Sequence, residues 1–440
     1  MSDEIPAAAS PPRGGNPGRP SLSGAAVLSS LRGLYYGWWV VLACNVVAVI
    51  TWGVGVFNQG VFLGYFTREY GWSRSDLSVG PTLFYIWGGL SGVAVGRTID
   101  RWGPRPVLAF GAIMIGAGTI ALGLTRAPWQ TYLAFLLMGT GYSSLHTVTL
   151  GAIVSRWFVR DRSRAMAAAT VGAGLGGLIL APLNAAVLDQ YGPAAGGITL
   201  ALISVGLILP LVIWVVRDSP ESMGLRVDGD RPAPDAIAAL PNTAADPDWT
   251  LPEAIRRRAF WAIAITFNLT MIAQGGFLVH QVMFLQPTFG FLTAASIVGA
   301  TTIAGGVGRV AFLLAGDRWS PRRVASGILI VQAAGLFFSA IGGAEWLLVT
   351  GSIVFGATMG ISVTLQPVLA AECFGRRSFG RVYGPIYSGI QIGTGLGPLV
   401  YGLIAAAAGS YRPVLLLVVA GLLTAAWLVR WAVPPVPRPT

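Results

Sequence analysis

Lysine is missing from this chain of 440 residues: all 29 basic side chains are arginine, set against 18 acidic ones. Charge as a whole is scarce, at 11% of residues where soluble proteins carry about 25%, while 54% are hydrophobic. Too few charges are present to coat a soluble globule of this size, so that class is excluded and a membrane protein remains. The apolar runs do not alternate with polar residues, which argues against a β-barrel. Two cysteines, Cys44 and Cys373, stand far apart and offer no metal-ligand spacing. The apolar stretches hold no paired carboxylates, no Cys/His cluster and no HExxH. Groups that a membrane-embedded enzyme would need are therefore lacking, and no cofactor or metal is expected. The first 34 residues, rich in Pro, Gly, Ser and Ala, contain no apolar run that would make a cleavable signal. They read as a disordered tail.

What is present is a succession of long apolar stretches. With about 20 residues per crossing, residues 35–433 accommodate twelve spans joined by short loops, an all-α membrane protein. Arginine is distributed very unequally between the two sides. Only Arg68, Arg74, Arg126 and Arg412 fall on one, and all the other loop and tail arginines fall on the opposite one. By the positive-inside rule that opposite side, with both termini, is cytoplasmic. The net charge of +11 is thus explained by topology, and no nucleic-acid partner is expected. Abundant Arg, Ala and Gly with no Lys points to a GC-rich bacterial source and so to an inner membrane.

Internal repetition organises the chain. DRWGPR at Asp100–Arg105 returns as DRWSPR at Asp317–Arg322, and GAGLGGL at Gly172–Leu178 returns as GTGLGPL at Gly393–Leu399, each about half a chain length later. Two such pairs in the same order mean that six spans were copied in tandem. The expected layout is a six-helix half at 35–216, a cytoplasmic linker at 217–257, a second half at 258–433, and tails at 1–34 and 434–440. Within the polar segment between the halves, Trp249–Arg258, with Pro252 near its start and arginines at its end, predicts a short surface helix. Two parallel halves that rock about a midplane site are transporter architecture. A sensor that kept such a fold and lost the transport is the competing class.

GRTIDRWGPR at Gly96–Arg105 resembles the G-x-x-x-D-R-x-G-x-R signature of the major facilitator superfamily, matching at Gly96, Asp100, Arg101, Gly103 and Arg105. The second copy, with Asp317, Arg318 and Arg322, is degenerate: Leu313 and Ser320 stand where the glycines would be. Such a loop reads as a charge clamp between cytoplasmic helix ends, with glycines that permit close approach. Within the superfamily the chain is similar to the monocarboxylate and oxalate/formate branch. The residues that carry this likeness are GVF at Gly60–Phe62, YGWSRSDLS at Tyr70–Ser78, RWFVRDRSRAMA at Arg156–Ala167 and YGPIYSG at Tyr383–Gly389.

A lone ionisable group in the membrane interior is costly and is a functional candidate by default. Arg309, about two turns from the end of the eighth span, meets that description. Its position resembles the arginine by which monocarboxylate carriers hold a substrate carboxylate; alternatively it snorkels to the cytoplasmic interface. The chain departs from that family in three places. Gly305 stands where those carriers have an Asp, the lysine of their first span is absent, with Asn58 and Gln59 in the matching region, and the oxalate-type lysine of the eleventh span is missing. His146 and His280, in the fourth and seventh spans, are candidates for the coupling proton, or are neutral groups bonded to a neighbouring helix. Tyr142, one turn before His146, and Tyr387 and Gln391, on one face of the eleventh span, complete a candidate ring around Arg309.

The G-x-G-x-x-G at Gly172, Gly174 and Gly177 follows no strand and reads as a helix-packing face. No Gly-Pro pair, the signature of drug/proton antiporters, falls within the fifth span as placed at 165–188. The resemblance thus implies a monomeric carrier of a small organic monoanion, a monocarboxylate, with protons as the candidate coupling ion. Its alternatives are an oxalate/formate type exchanger, an exporter of a larger hydrophobic solute, and a membrane sensor.

Overall fold

The computed structural model describes residues 35–228, 249–315, 320–342, 344–375 and 379–435, and among them there are helices and no strands. The tail at 1–34, the middle of the linker and the loop residues Asp317 and Arg318 lie outside the described residues, as does the side chain of Asp100.

The first crossing is built from α1 (Gly37–Trp52), a π-helical turn at Gly53–Phe57 and α2 (Asn58–Tyr70). It is followed by α3 (Arg74–Trp102) and α4 (Pro104–Gly123). The fourth crossing comes in two pieces, α5 (Pro128–Leu145) and α6 (Thr147–Trp157). Next are α7 (Arg162–Thr170) and α8 (Ala173–Pro210), which runs on as one helix except at Gly192. There φ 79° and ψ 177° leave helical space, a conformation open to glycine. The chain folds back at that point, because a Cβ on Gly196 would lie 3.0 Å from the amide oxygen of Asn184. One continuous segment therefore makes the fifth and sixth crossings. A short helix, α9 (Leu251–Ile255), occupies the predicted linker position, its N-terminus fixed by a capping box between Thr250 and Glu253.

The second half consists of α10 (Arg258–Phe289), α11 (Phe291–Ala315), α12 (Pro321–Ile341), α13 (Glu345–Phe374), α14 (Phe379–Ala408) and α15 (Arg412–Leu428). Nine stretches of the described residues are long and apolar enough to cross a bilayer. Dividing the one that reverses at Gly192, and adding α3 and the α5–α6 pair, gives twelve crossings.

The duplication reaches down to single contacts. Asn45 on α1 donates to the carbonyl of Ala168 at 2.7 Å and faces Gly172. Half a chain later, Asn268 on α10 donates to the carbonyl of Gly389 at 2.6 Å and faces Gly393. Each half also has a glycine-on-glycine crossing between its matching helices, Gly53 against Gly176 and Gly276 against Gly397, where a Cβ would collide with backbone. This is the small-residue packing of membrane helices, in which close backbone approach supplies the attraction that water cannot.

The halves meet chiefly along three helix pairs: α2 with α10, α3 with α14, and α8 with α11. These contacts run from the arginine-poor end to about mid-helix, the deepest being Thr302 on α11, which donates to the carbonyl of Gly174 on α8 at 3.1 Å. On α3 and α14, Gly402 presses against Ser78, and Gly395 against Tyr85 and Ile86. Further along the same two helices, a Cβ on Gly89, Gly92, Gly96, Gly384 or Gly389 would meet nothing within 4 Å. The two halves thus form a wedge, shut at the arginine-poor end and gaping at the arginine-rich one.

Candidate functional site

The gap narrows onto an aromatic wall contributed by the first half. Tyr142 packs against His146 with ring centroids 4.7 Å apart and the rings tilted by 32°, and Trp52 approaches His146 at 5.6 Å and Tyr142 at 6.4 Å. Phe84 adds a contact to Tyr142 at 4.9 Å, and Tyr85 closes the wall at 6.5 Å. Sequence reasoning missed Trp52, the last residue of α1, which meets both rings just before the π-helical turn. The closely spaced Gly53 and Gly55 were the available signal.

An unbroken fourth span would carry Tyr142 and His146 on one helical face. Instead the backbone leaves helical space at His146, with φ −88° and ψ −169°. Ser143 and Ser144 both bond back to the carbonyl of Thr140, at 3.0 and 2.9 Å, and the β-branched run Thr147–Val148–Thr149 follows. Both features weaken a helix at this point. The two rings meet all the same, and the break leaves His146 half-buried at the junction of α5 and α6.

Across the gap, Tyr387 is 37% exposed, lies 5.9 Å from Tyr383 in ring-centroid distance, and is within electrostatic reach of Tyr142. Gln391, one turn on, is half-buried. Asn58 and Gln59 are fully buried. Their side-chain amides donate to the carbonyls of Gly53 and Gly55, groups that belong to the π-helical turn.

Arg309 is held by the crossing of α11 and α13. Gly305 and Gly308 on one helix lie against the backbone of Gly356 and Ala357 on the other, and Arg309 Nε donates to the carbonyl of Gly360 at 3.3 Å. Its guanidinium is half-buried and, among the described residues, in no ion pair with a carboxylate. A Cβ at Gly305 would sit 3.1 Å from the Gly356 carbonyl oxygen. Close packing therefore disfavours a side chain where monocarboxylate carriers have an aspartate.

His280 lies elsewhere, in the shut end, 1% exposed. Its Nε2 is 2.9 Å from the carbonyl of Pro398 and 3.0 Å from Ser78 Oγ, while Nδ1 is 2.9 Å from the Tyr411 hydroxyl. A carbonyl only accepts, and Ser78 already donates to the carbonyl of Arg74. The network therefore assigns the proton to Nε2 and makes Nδ1 the acceptor from Tyr411. One imidazole ties α3 of the first half to α14 and α15 of the second.

The loop at Gly96–Arg105 sits at the gaping end. Gly103 turns the chain between α3 and α4 with φ 81°, and Arg105 caps the sixth crossing by donating to the carbonyls of Val212 and Ile213 at 3.2 Å. Asp218 lies 3.9 Å from Arg105, Arg101 lies over the ring of Trp102 at 5.4 Å, and Arg322 opens α12 half-buried. The contacts of Arg105 stay within its own half.

Comparison with known proteins agrees with this architecture. The profile of the Major Facilitator Superfamily matches residues 41–316 and 292–440. The chain is 24% identical over 335 residues to the Membrane sensor protein UhpC of Salmonella typhimurium, covering 71% of this chain and 73% of that one. It is 26% identical over 394 residues to Monocarboxylate transporter 13 of Rattus norvegicus, covering 86% and 84%. Among solved structures, a bacterial homolog of the human lysosomal transporter Spinster, in an inward-facing and occupied conformation, superposes with a TM-score of 0.70 over 90% of this chain and 97% of that one, at 13% identity.

Proposed function

We propose, from the premise that this chain belongs to the major facilitator superfamily, that it carries a small organic monoanion, a monocarboxylate, across an inner membrane by alternating access. It is a multi-pass membrane transporter of that superfamily and not an enzyme. The observation that supports the substrate class is Arg309, a half-buried guanidinium deep in α11 without a carboxylate partner among the described residues. A planar guanidinium pairs bidentately with a carboxylate, and exclusion of water strengthens the bond. The aromatic wall of Trp52, Tyr142 and His146, with Tyr387 and Gln391 opposite, suits the apolar body of such an acid.

On this reading the arginine-rich end is cytoplasmic, both termini lie there, and the structure is open inward. His146, at the helix break beside the gap, is the preferred group for the coupling proton; His280 serves the outer seal. Asn58 and Gln59 hold the π-helical turn in shape. The clamp of Gly96, Asp100, Arg101, Gly103 and Arg105, echoed by Asp317, Arg318 and Arg322, closes the cytoplasmic end in the opposite state. Gly96, which faces open space here, is then needed for close approach.

Uptake of labelled short-chain acids into proteoliposomes, with and without an inward proton gradient, tests this. Arg309→Ala is expected to abolish gradient-stimulated uptake, with Arg309→Lys retaining a fraction. Uptake that survives Arg309→Ala overturns the assignment. The sensor reading draws on the likeness to UhpC, and a protein that binds these acids without net flux would favour it.

A further inference from the structure

A second cationic site lies at the shut end, away from Arg309. A cavity of about 330 Å³ opens between α10, α12, α13 and α15 of the second half, and Arg74 of the first half reaches into its lining. Its wall is mixed: Phe284, Leu348 and Leu415 supply apolar surface, Ser339, Ser410 and Tyr411 supply hydroxyls, and Arg74 and Arg412 supply the charge. That volume falls in the range of small-molecule pockets, about 300–1,000 Å³.

Of the four arginines on this side of the protein, Arg68 is already engaged by Glu69 and Asp189 at 2.7 and 2.8 Å. Arg74 and Arg412 enter no ion pair among the described residues, yet both line this one cavity. The acids near this end, Glu69, Asp76, Asp189 and Glu345, are not in its lining. Two like charges on one cavity with no counter-charge call for an anion. The guanidinium of Arg74 lies 4.9 Å from the centre of the Tyr411 ring, and the Tyr411 hydroxyl joins His280 in the bond network that ties the halves together.

The two arginines belong to opposite halves. Arg74 begins α3 and Arg412 begins α15, so rocking the halves apart at this end separates them. We infer that this cavity binds a small carboxylate with an apolar tail from the arginine-poor side and that its occupancy holds that end shut. The choice of carboxylate rests on the reading of Arg309; the anion site itself does not. A ligand that binds one of two states shifts the equilibrium toward it by its differential affinity. Acid at high concentration on this side therefore slows opening of the gate through which it would enter.

The test uses proteoliposomes, with butanoate as the probe and butanamide as its uncharged counterpart. A cysteine at Thr67→Cys, in the seal beside Met283, reports opening through its rate of labelling by an impermeant maleimide; both native thiols are buried. Butanoate added on the arginine-poor side is expected to slow labelling by about five- to tenfold, within the usual range of coupling between sites, and butanamide to leave it unchanged. Arg412→Gln alters an exposed side chain and is expected to cut the butanoate effect to under about twofold, as is Arg74→Gln. In an Arg309→Ala background the slowing should persist, which separates this site from the central one. Slowing that is unchanged in both Arg412→Gln and Arg74→Gln, or that disappears with Arg309→Ala, overturns the inference.

Discussion

The two ends of this protein are made of the same helices and behave in opposite ways. At the arginine-poor end α2, α3 and α8 lie against α10, α14 and α11, with glycines at the points of closest approach. Toward the arginine-rich end α3 and α14 diverge, and glycines on both face open space. Polar bonds differ in the same way. The shut end has the His280 node, a bond from Thr67 to Met283 and the stacking of Arg68 on Phe291, all between halves. At the gaping end Arg105 bonds only within its half. A hydrophobic driving force is absent between helices in lipid, so close packing and a few buried polar bonds must hold the shut end. Each therefore carries a large share of the preference between states.

The strongest way to break the comparison is to make the shut end unable to close. A Cβ at Gly60 would lie 2.6 Å from the carbonyl oxygen of Val279 on the facing helix. Gly60→Trp wedges the halves apart there without touching contacts inside either half. Overpacking costs about 1–3 kcal/mol, and rocking open relieves it, so the variant should fold and populate the opposite state. Transport is expected to fall by up to about a hundredfold, while labelling of the Thr67→Cys reporter rises. Wild-type uptake in Gly60→Trp would show that this contact is not the seal.

His280→Ala sharpens the comparison by deleting polar bonds and leaving the glycine contacts in place. Net hydrogen-bond contributions are about 1 kcal/mol each, and Ser78 and Tyr411 are left with unmet groups. The ratio of open to shut at this end is expected to rise by about tenfold, read as faster reporter labelling. Equal labelling in wild type and variant would remove His280 from the seal.

The layout of the fold was legible because it rests on composition and repetition. Apolar run length marks the spans, the glycines at Gly172–Gly177 predicted a packing face, and their repeat at Gly393 takes the same kind of contact, with Asn45 and Asn268 as the facing residues. The site was only half legible. Helical periodicity does not distinguish His146, at a helix break beside a gap, from His280, locked among Ser78, Pro398 and Tyr411, which are distant in sequence. Both are single histidines in apolar runs, and their environments arise from tertiary contacts. The break itself had a sequence signal in Ser143, Ser144 and the β-branched run after His146, but helical periodicity reads past it. Arg309 was visible as a charge out of place, whereas its support, the glycine crossing of α11 and α13, needed the three-dimensional path.

The smallest expected effect separates buried from exposed parts of the seal. Arg68 pairs with Glu69 and Asp189 and lies 4.6 Å from the Phe291 ring centre, but its side chain is 33% exposed. Both ion pairs lie within the first half and act on the seal only by holding Arg68 over Phe291; exposed pairs contribute about 0–1 kcal/mol and weaken with salt. Arg68→Ala should therefore speed reporter labelling by no more than about threefold, and the difference from wild type should shrink as ionic strength rises. His280→Ala, whose lost bonds are all buried, should show no such salt dependence. An Arg68→Ala effect as large as that of His280→Ala, and insensitive to salt, would mean that the outermost contacts hold this end shut and that the buried imidazole merely fills space behind them.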